Sequence, residues 1–290
     1  MRATYKFYFC VVLFFTQVCL ADVVQLTDYS GSTITLDKPA QRIISLSPHI
    51  TENLFSVGAG SQIVATVDYA DFPAAAKSIP HVGGFNISSI ESILAYEPDL
   101  VIFWGSGNAQ SVLKQLRRLK IPVYVDEPKK LEDIAKSLIH FGRLSGHDKE
   151  ARFKAGEFLN TLQSLKNAYK RDKPLSVFYQ IWNDPLQTLN GSHVTSDLIS
   201  LCGGQNIYAD EPGIAPVISK ESVFARNPDI ILASGISTER PAWLDDWLAY
   251  PQLSAVKNKH LYFISADLSQ RHTLRILEGA NQLCLMFNSF

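Results

Sequence analysis

Glu91-Ser92-Ile93-Leu94-Ala95-Tyr96-Glu97-Pro98-Asp99-Leu100-Val101-Ile102 returns 130 residues later as Glu221-Ser222-Val223-Phe224-Ala225-Arg226-Asn227-Pro228-Asp229-Ile230-Ile231-Leu232. Each copy reads as a short amphipathic helix stopped by proline. An Asp follows, then a continuous apolar run of the kind a parallel sheet buries. Upstream, His49-Ile50-Thr51-Glu52-Asn53-Leu54-Phe55-Ser56, through Gly60 and Ile63, is echoed by His193-Val194-Thr195-Ser196-Asp197-Leu198-Ile199-Ser200, through Gly204 and Ile207. That offset is 144, so the halves share element order and differ in loop length. A solenoid unit spans only roughly 20–50 residues. The chain therefore reads as two similar lobes with one cleft between them, each carrying a glutamate at an equivalent point.

The first 21 residues stand apart. Arg2 and Lys6 make a basic start, Phe7 to Leu20 is apolar and uncharged, and Cys19-Leu20-Ala21 offers a small-residue exit. This is the pattern of a secretory signal peptide cleaved after Ala21. Thr16 and Gln17 interrupt the run, which argues against an anchor needing about 20 consecutive apolar residues. Thr16-Gln17-Val18 before Cys19 lacks the small residues of lipoprotein processing. The expected mature chain is periplasmic and soluble. The full chain has 27 basic against 28 acidic side chains; without Arg2 and Lys6 the mature balance is 25 against 28, which offers no basic surface for nucleic acid or anionic membrane. Only Cys202 and Cys284 remain after cleavage, and an even pair in an oxidising compartment favours a disulfide over two buried thiols.

Strands and helices alternate along both lobes, implying α/β architecture with parallel sheets flanked by helices, two Rossmann-like lobes in all. Between them, Asp148 to Asp172 places Ala151, Ala155, Phe158, Leu162, Leu165 and Tyr169 on one stripe of a long helix that Pro174 ends. The expected division is a signal peptide over 1–21, a first lobe over 22–146, a linking helix over 147–172 and a second lobe over 173–290. One rigid linking helix implies a preformed cleft with modest motion.

Enzyme signatures are weak. Gly105-Ser106-Gly107 and Gly203-Gly204 lack the rest of a phosphate loop or dinucleotide fingerprint, and no Gly-x-Ser-x-Gly elbow occurs. Histidines 49, 81, 193 and 272, with Asp267 nearby, fall in loops where lobes of this kind meet. They could bind Zn²⁺ or Mn²⁺, but none is paired at ligand spacing, and polar cleft and capping roles are the favoured reading. Tyr69, Phe72, Phe85, Trp104 and Trp182 lie at or beyond the carboxyl ends of predicted strands, where parallel sheets bind ligands. Stacked aromatics there suit a large, flat, partly apolar ligand.

Several segments carry a resemblance. They are Arg42-Ile43-Ile44-Ser45-Leu46-Ser47-Pro48 with Glu52, Asp71-Phe72-Pro73, Glu91 through Ile102, Trp104 through Asn108, Cys202-Gly203-Gly204-Gln205-Asn206-Ile207, Ser219-Lys220-Glu221 and Gln282-Leu283-Cys284. Over nearly the whole mature chain the sequence resembles the cobalamin-binding members of the helix-linked, two-lobe class of ABC-importer binding proteins. That class also serves haem and ferric siderophores. The resemblance implies a non-enzymatic carrier, without a cofactor or resident metal, that is monomeric and passes cobalamin to a permease–ATPase complex of the inner membrane. It implies ligand contacts from Pro48, Tyr69, Phe85, Trp104 and the loop Asp267, Leu268, Ser269, Gln270 and Arg271. It also implies docking of Glu91 and Glu221 on permease arginines, and a Cys202–Cys284 disulfide. Phe85 and Ala215 stand where the family has cleft tryptophans, and Trp182 and Tyr208 are the candidates to refill the space at Ala215. A ferric-siderophore or haem carrier, a divalent-metal carrier using the loop histidines and an exported hydrolase are the alternatives.

Overall fold

The computed structural model describes residues 23–84, 87–235 and 239–288; the expected signal peptide lies outside them. In the first lobe a hairpin of β1 (Val24–Thr27) and β2 (Thr33–Leu36) precedes β3 (Ile43–Ser45), α1 (Pro48–Ser56) and β4 (Ile63–Ala65). A two-residue ribbon of β5 (Gly83–Gly84) and β6 (Ile87–Ser88) leads to α2 (Ile90–Leu94), β7 (Leu100–Trp104), α3 (Gln110–Arg118), β8 (Val123–Asp126) and α4 (Leu131–Ser145). Next comes the long helix α5 (Asp148–Ala168).

The second lobe runs β9 (Leu175–Asn183), β10 (Leu186–Thr188), α6 (Val194–Leu201), β11 (Gly204–Asn206), α7 (Lys220–Arg226), β12 (Ile230–Gly235) and α8 (Ser254–Lys257). It closes with β13 (Leu261–Ser265), α9 (Ala266–Ser269) and α10 (Ile276–Phe287).

Both sheets follow one plan. The first is β4-β3-β7-β8, parallel throughout; the second is β11-β9-β12-β13 with the antiparallel β10 added beside β9. The repeated motif explains this. Asp99 accepts from the amides of Gln41 and Arg42 at the entrance to β3, and Asp229 accepts from the amide of Ser176 in β9. Each carboxylate thereby aligns its own strand with the neighbour that the repeat prescribes. Glu97 and Asn227, just before the two prolines, both adopt left-handed backbone, with φ of 45° and 40°. The apolar runs that follow are the buried central strands β7 and β12.

One apolar cluster runs through both lobes. It passes from Ile43 and Phe141 through Ala155, Phe158 and Leu162 of α5 to Val177, Leu283 and Phe287. The outer face of each sheet carries its own smaller cluster. The helix α5 thus belongs to both cores instead of bridging solvent. It packs closely on α4, where a side chain at Gly142 would collide with Ala151. Tyr169, the expected end of the stripe, is the C-cap residue instead.

Pro48 starts α1, as its fixed φ and missing N–H allow at a first helical position. The last helix, α10, follows the single turn of α9, and the short strands β10 and β11 carry no alternating pattern to announce them.

Cys202, at the end of α6, is bonded to Cys284 on α10, with Cα atoms 4.6 Å apart and a sequence separation of 82. Closing so long a loop contributes roughly 4–5 kcal/mol on the chain-entropy account. Reduction, or a Cys202→Ser/Cys284→Ser double variant, is expected to lower the denaturant midpoint without changing the fold. An unchanged midpoint would show that the bond adds nothing to stability.

Candidate ligand-binding site

The cleft lies where the carboxyl ends of both parallel sheets face each other, the usual place for ligands in such sheets. A cavity of about 240 Å³ occupies it, lined from the first lobe by Ser47, Pro48, His49, Tyr69 and Trp104. The second lobe contributes His193, Ala266, Asp267, Gln270, Arg271 and His272.

Each side chain is placed by local rules. Trp104 ends β7 as its apolar run meets a turn. Asn108 pins that turn, accepting from the Trp104 amide and donating to the carbonyl of Leu46. The indole folds back over Gly107, where a Cβ could not fit. Tyr69 is 71 % exposed, with left-handed backbone. In the second lobe, Asp267, Gln270 and Arg271 stand at i, i+3 and i+4 and share one side of the α9 turn. Leu268 and Ser269, also in the family-implied set, are not among the residues that line this cavity. The Ser269 hydroxyl is buried, donating to the Ser265 carbonyl and pairing with the Tyr179 hydroxyl. Leu268 lines a depression on the other side with Phe263 and Arg275.

Phe85 lies outside the described residues. Trp182 is 46 % exposed on the β9–β10 ribbon and does not line the cavity. It stands opposite Gln187, itself bridged to Val217, so it shares a ribbon with the segment containing Ala215. Tyr208 cannot refill that space. It is fully buried against Phe178, with its hydroxyl on Ser222.

Behind Trp104, three of the four loop histidines converge. The His49 and His272 rings are 5.1 Å apart and those of His193 and His272 5.4 Å, while His81 is exposed and pairs with Asp68. Burial pushes His193 down to about 4 and His272 well below the usual imidazole range, and neighbouring imidazoles add to both effects. Both rings are neutral at physiological pH. Among the described residues no three His, Cys, Asp or Glu side chains are grouped to hold a metal ion. Ser47, His49 and Asp126 form a chain of contacts at 2.7 and 3.5 Å, with all three side chains buried.

Sequence reasoning missed the contacts that join the lobes. Glu52 is 2 % exposed and receives Arg275 at 2.8 and 2.7 Å; the same guanidinium lies over the Phe72 ring. Beside it, Asn53 donates to the carbonyl of His272, while Asp197, its partner in the repeat, accepts from the Leu131 amide. Each repeat helix thus reaches the opposite lobe from the same position. The one available signal was a break in the echo: Glu52 corresponds to Ser196.

A model of the periplasmic binding protein family matches residues 43–268. The chain belongs to that family. A vitamin B12-binding protein of Yersinia pestis is 36 % identical over 254 residues, covering 87 % of this chain and 89 % of that protein. The periplasmic vitamin B12 binding protein BtuF of Vibrio cholerae superposes with a TM-score of 0.80 at 34 % identity, covering 87 % and 98 %. The periplasmic heme-binding protein RhuT of Roseiflexus shares the fold, with a TM-score of 0.76 at 22 % identity over 86 % and 98 %. Family members are binding proteins, and among the described residues no helix is long and apolar enough to cross a membrane.

The buried imidazoles have a consequence for stability. Unfolding exposes them and restores ordinary basicity, so the unfolded chain binds more protons between about pH 6.5 and 4. Stability should be fully present above that window and fall as pH drops through it. A His193→Gln/His272→Gln variant should show a shallower fall in urea midpoint over the same range. An equally steep fall would place the titrating groups elsewhere.

Proposed function

We propose that the mature protein is a periplasmic carrier that captures cobalamin in the inter-lobe cleft and delivers it to an inner-membrane ABC importer. The supporting observation is graded likeness. Proteins named for vitamin B12 binding match this chain at 34–36 % identity over most of its length, whereas the haem-binding neighbour shares only the fold at 22 %. The cleft chemistry agrees. Tyr69 and Trp104 provide flat apolar surface, and Asp267, Gln270 and Arg271 provide donors and acceptors for the amide arms of a corrin ring. Of the two proposed replacements at Ala215, Trp182 remains available. Export through cleavage after Ala21, the division into 22–146, 147–172 and 173–290, and action as a monomer belong to the same reading. The transport energy comes from a partner ATPase.

A cavity of about 240 Å³ is below the roughly 300–1,000 Å³ of ordinary small-ligand sites. A corrinoid therefore requires the lobes to part or the lining arginine to turn. A separate cavity of about 430 Å³ lies on the other side of the Trp104 turn, between Gly105, Glu127, Ser192 and Ile214.

Calorimetric titration with cyanocobalamin, haemin, a ferric hydroxamate and zinc tests the assignment. Cobalamin alone should bind tightly, and heat from another ligand with none from cobalamin would overturn it. Trp104→Ala removes burial worth about 1.5–3 kcal/mol, so it should weaken cobalamin binding by roughly ten- to a hundredfold with the unfolding midpoint unchanged.

Docking is assigned to Glu91 and Glu221. Both are exposed in the first turn of α2 and α7, behind the matching cap residues Ser89 and Ser219. Hydrogen bonds from Ser89 and from its own amide hold the Glu91 carboxyl below the usual range; Glu221 is lowered by its own amide and then by Ser219. Two permanently charged points, one per lobe, suit a basic permease surface. Glu91→Ala/Glu221→Ala should abolish uptake while leaving solution affinity within about twofold. Normal uptake would remove the docking role.

A further inference from the structure

Arg271 does not wait in the cleft with its donors free. Its Nε contacts Asp267 Oδ1 at 2.9 Å, Nη1 and Nη2 donate to Asp71 Oδ1 at 3.1 and 3.2 Å, and Nη2 donates to the Tyr69 carbonyl at 3.2 Å. Asp71 and Tyr69 belong to the opposite lobe, on the loop between β4 and β5. The contact therefore crosses the cleft, beside the cavity that Tyr69 and Arg271 both line. A guanidinium has five donors in a rigid fork, so the pair aimed at Asp71 cannot serve a ligand oxygen at the same time.

We propose that Asp71 is a built-in competitor for the ligand: its carboxylate occupies the Arg271 donors that a bound amide or anionic oxygen would take, and so sets the affinity of the cleft. The inference rests on the cleft being the ligand site. Its physical basis is the contrast between two neighbouring ion pairs. Glu52–Arg275 is buried, bidentate and covered by Phe72, so breaking it leaves a desolvated charge unpaired. The Asp71 side chain is 53 % exposed against 15 % for Arg271, so water reaches the carboxylate and the pair is weak enough to exchange. The first contact holds the lobes; the second yields to a ligand. Arg271 stays oriented after the exchange, because Asp267 remains on its Nε and the Glu52 carboxylate lies 3.9 Å from its Nη1.

The sign of the effect separates this role from any other. A residue that clasped the lobes or contacted the ligand would weaken binding when removed, whereas a competitor strengthens it. Asp71→Ala and Asp71→Asn should each bind cyanocobalamin about two- to fivefold more tightly, the range expected for a half-exposed ion pair. Arg271→Ala should bind more weakly, and adding Asp71→Ala to it should change nothing further. Unchanged or weaker binding by both Asp71 variants, with native unfolding midpoints, would overturn the proposal.

A second measurement needs no ligand. Peptide mapping after phenylglyoxal treatment should show Arg271 modified several times faster in Asp71→Ala than in the native protein. An equal rate would overturn the competition whatever the ligand. Faster modification together with no cobalamin heat would instead sustain it and reject the corrinoid assignment.

Discussion

Among the described residues, the Glu52 carboxylate meets its cations, Arg275 and Arg271, from the opposite lobe. It sits on the inward face of α1, almost wholly removed from water, where an unpaired carboxylate would cost several kcal/mol. Arg275 meets it with two hydrogen bonds and is itself sheltered by Phe72. This ties the start of α10 to α1 and so fixes the distance between the strand ends that make the cleft. The positions of Asp267, Gln270 and Arg271 opposite Trp104 depend on it, because they lie within the nine residues leading up to Arg275.

Around that contact the two halves are built as duplicates. Asp99 and Asp229 align their strands in the same way, Ser89 and Ser219 cap the helices carrying the exposed glutamates, and Asn53 and Asp197 cross between lobes from equivalent positions. Function resides in the departures from duplication. Glu52 faces Ser196 in the alignment of the repeats, and the arginine-bearing segment after β13 has its partners in the first lobe. The shared core through α5 keeps the two lobes one body on the side away from the cleft.

Much of this was legible in the sequence because it is local or repeated. The Pro-Asp-apolar run fixed two central strands, and cysteine arithmetic with compartment favoured the bond now seen between Cys202 and Cys284. Other features carried too little pattern. The strands β10 and β11 are three residues each, and α9 is a single turn. Without that turn, 267 to 271 reads as one contacting loop; with it, helical spacing puts Asp267, Gln270 and Arg271 on one side. The pair Asp71–Arg271 spans 200 residues, and no spacing rule reaches that far. Tyr208 looked as available as Trp182 until burial distinguished them.

The central claim, that a corrin plate lies between the Trp104 wall and the Asp267–Arg271 turn, is tested most directly by a crystal structure of the protein grown with cyanocobalamin. The account predicts a corrin ring in the cleft, its face on Tyr69 and Trp104, with Arg271 turned from Asp71 onto a ligand oxygen and Glu52–Arg275 intact. A corrin bound outside the cleft, or a cleft that stays closed by Arg271–Asp71 at saturating cobalamin, would contradict it.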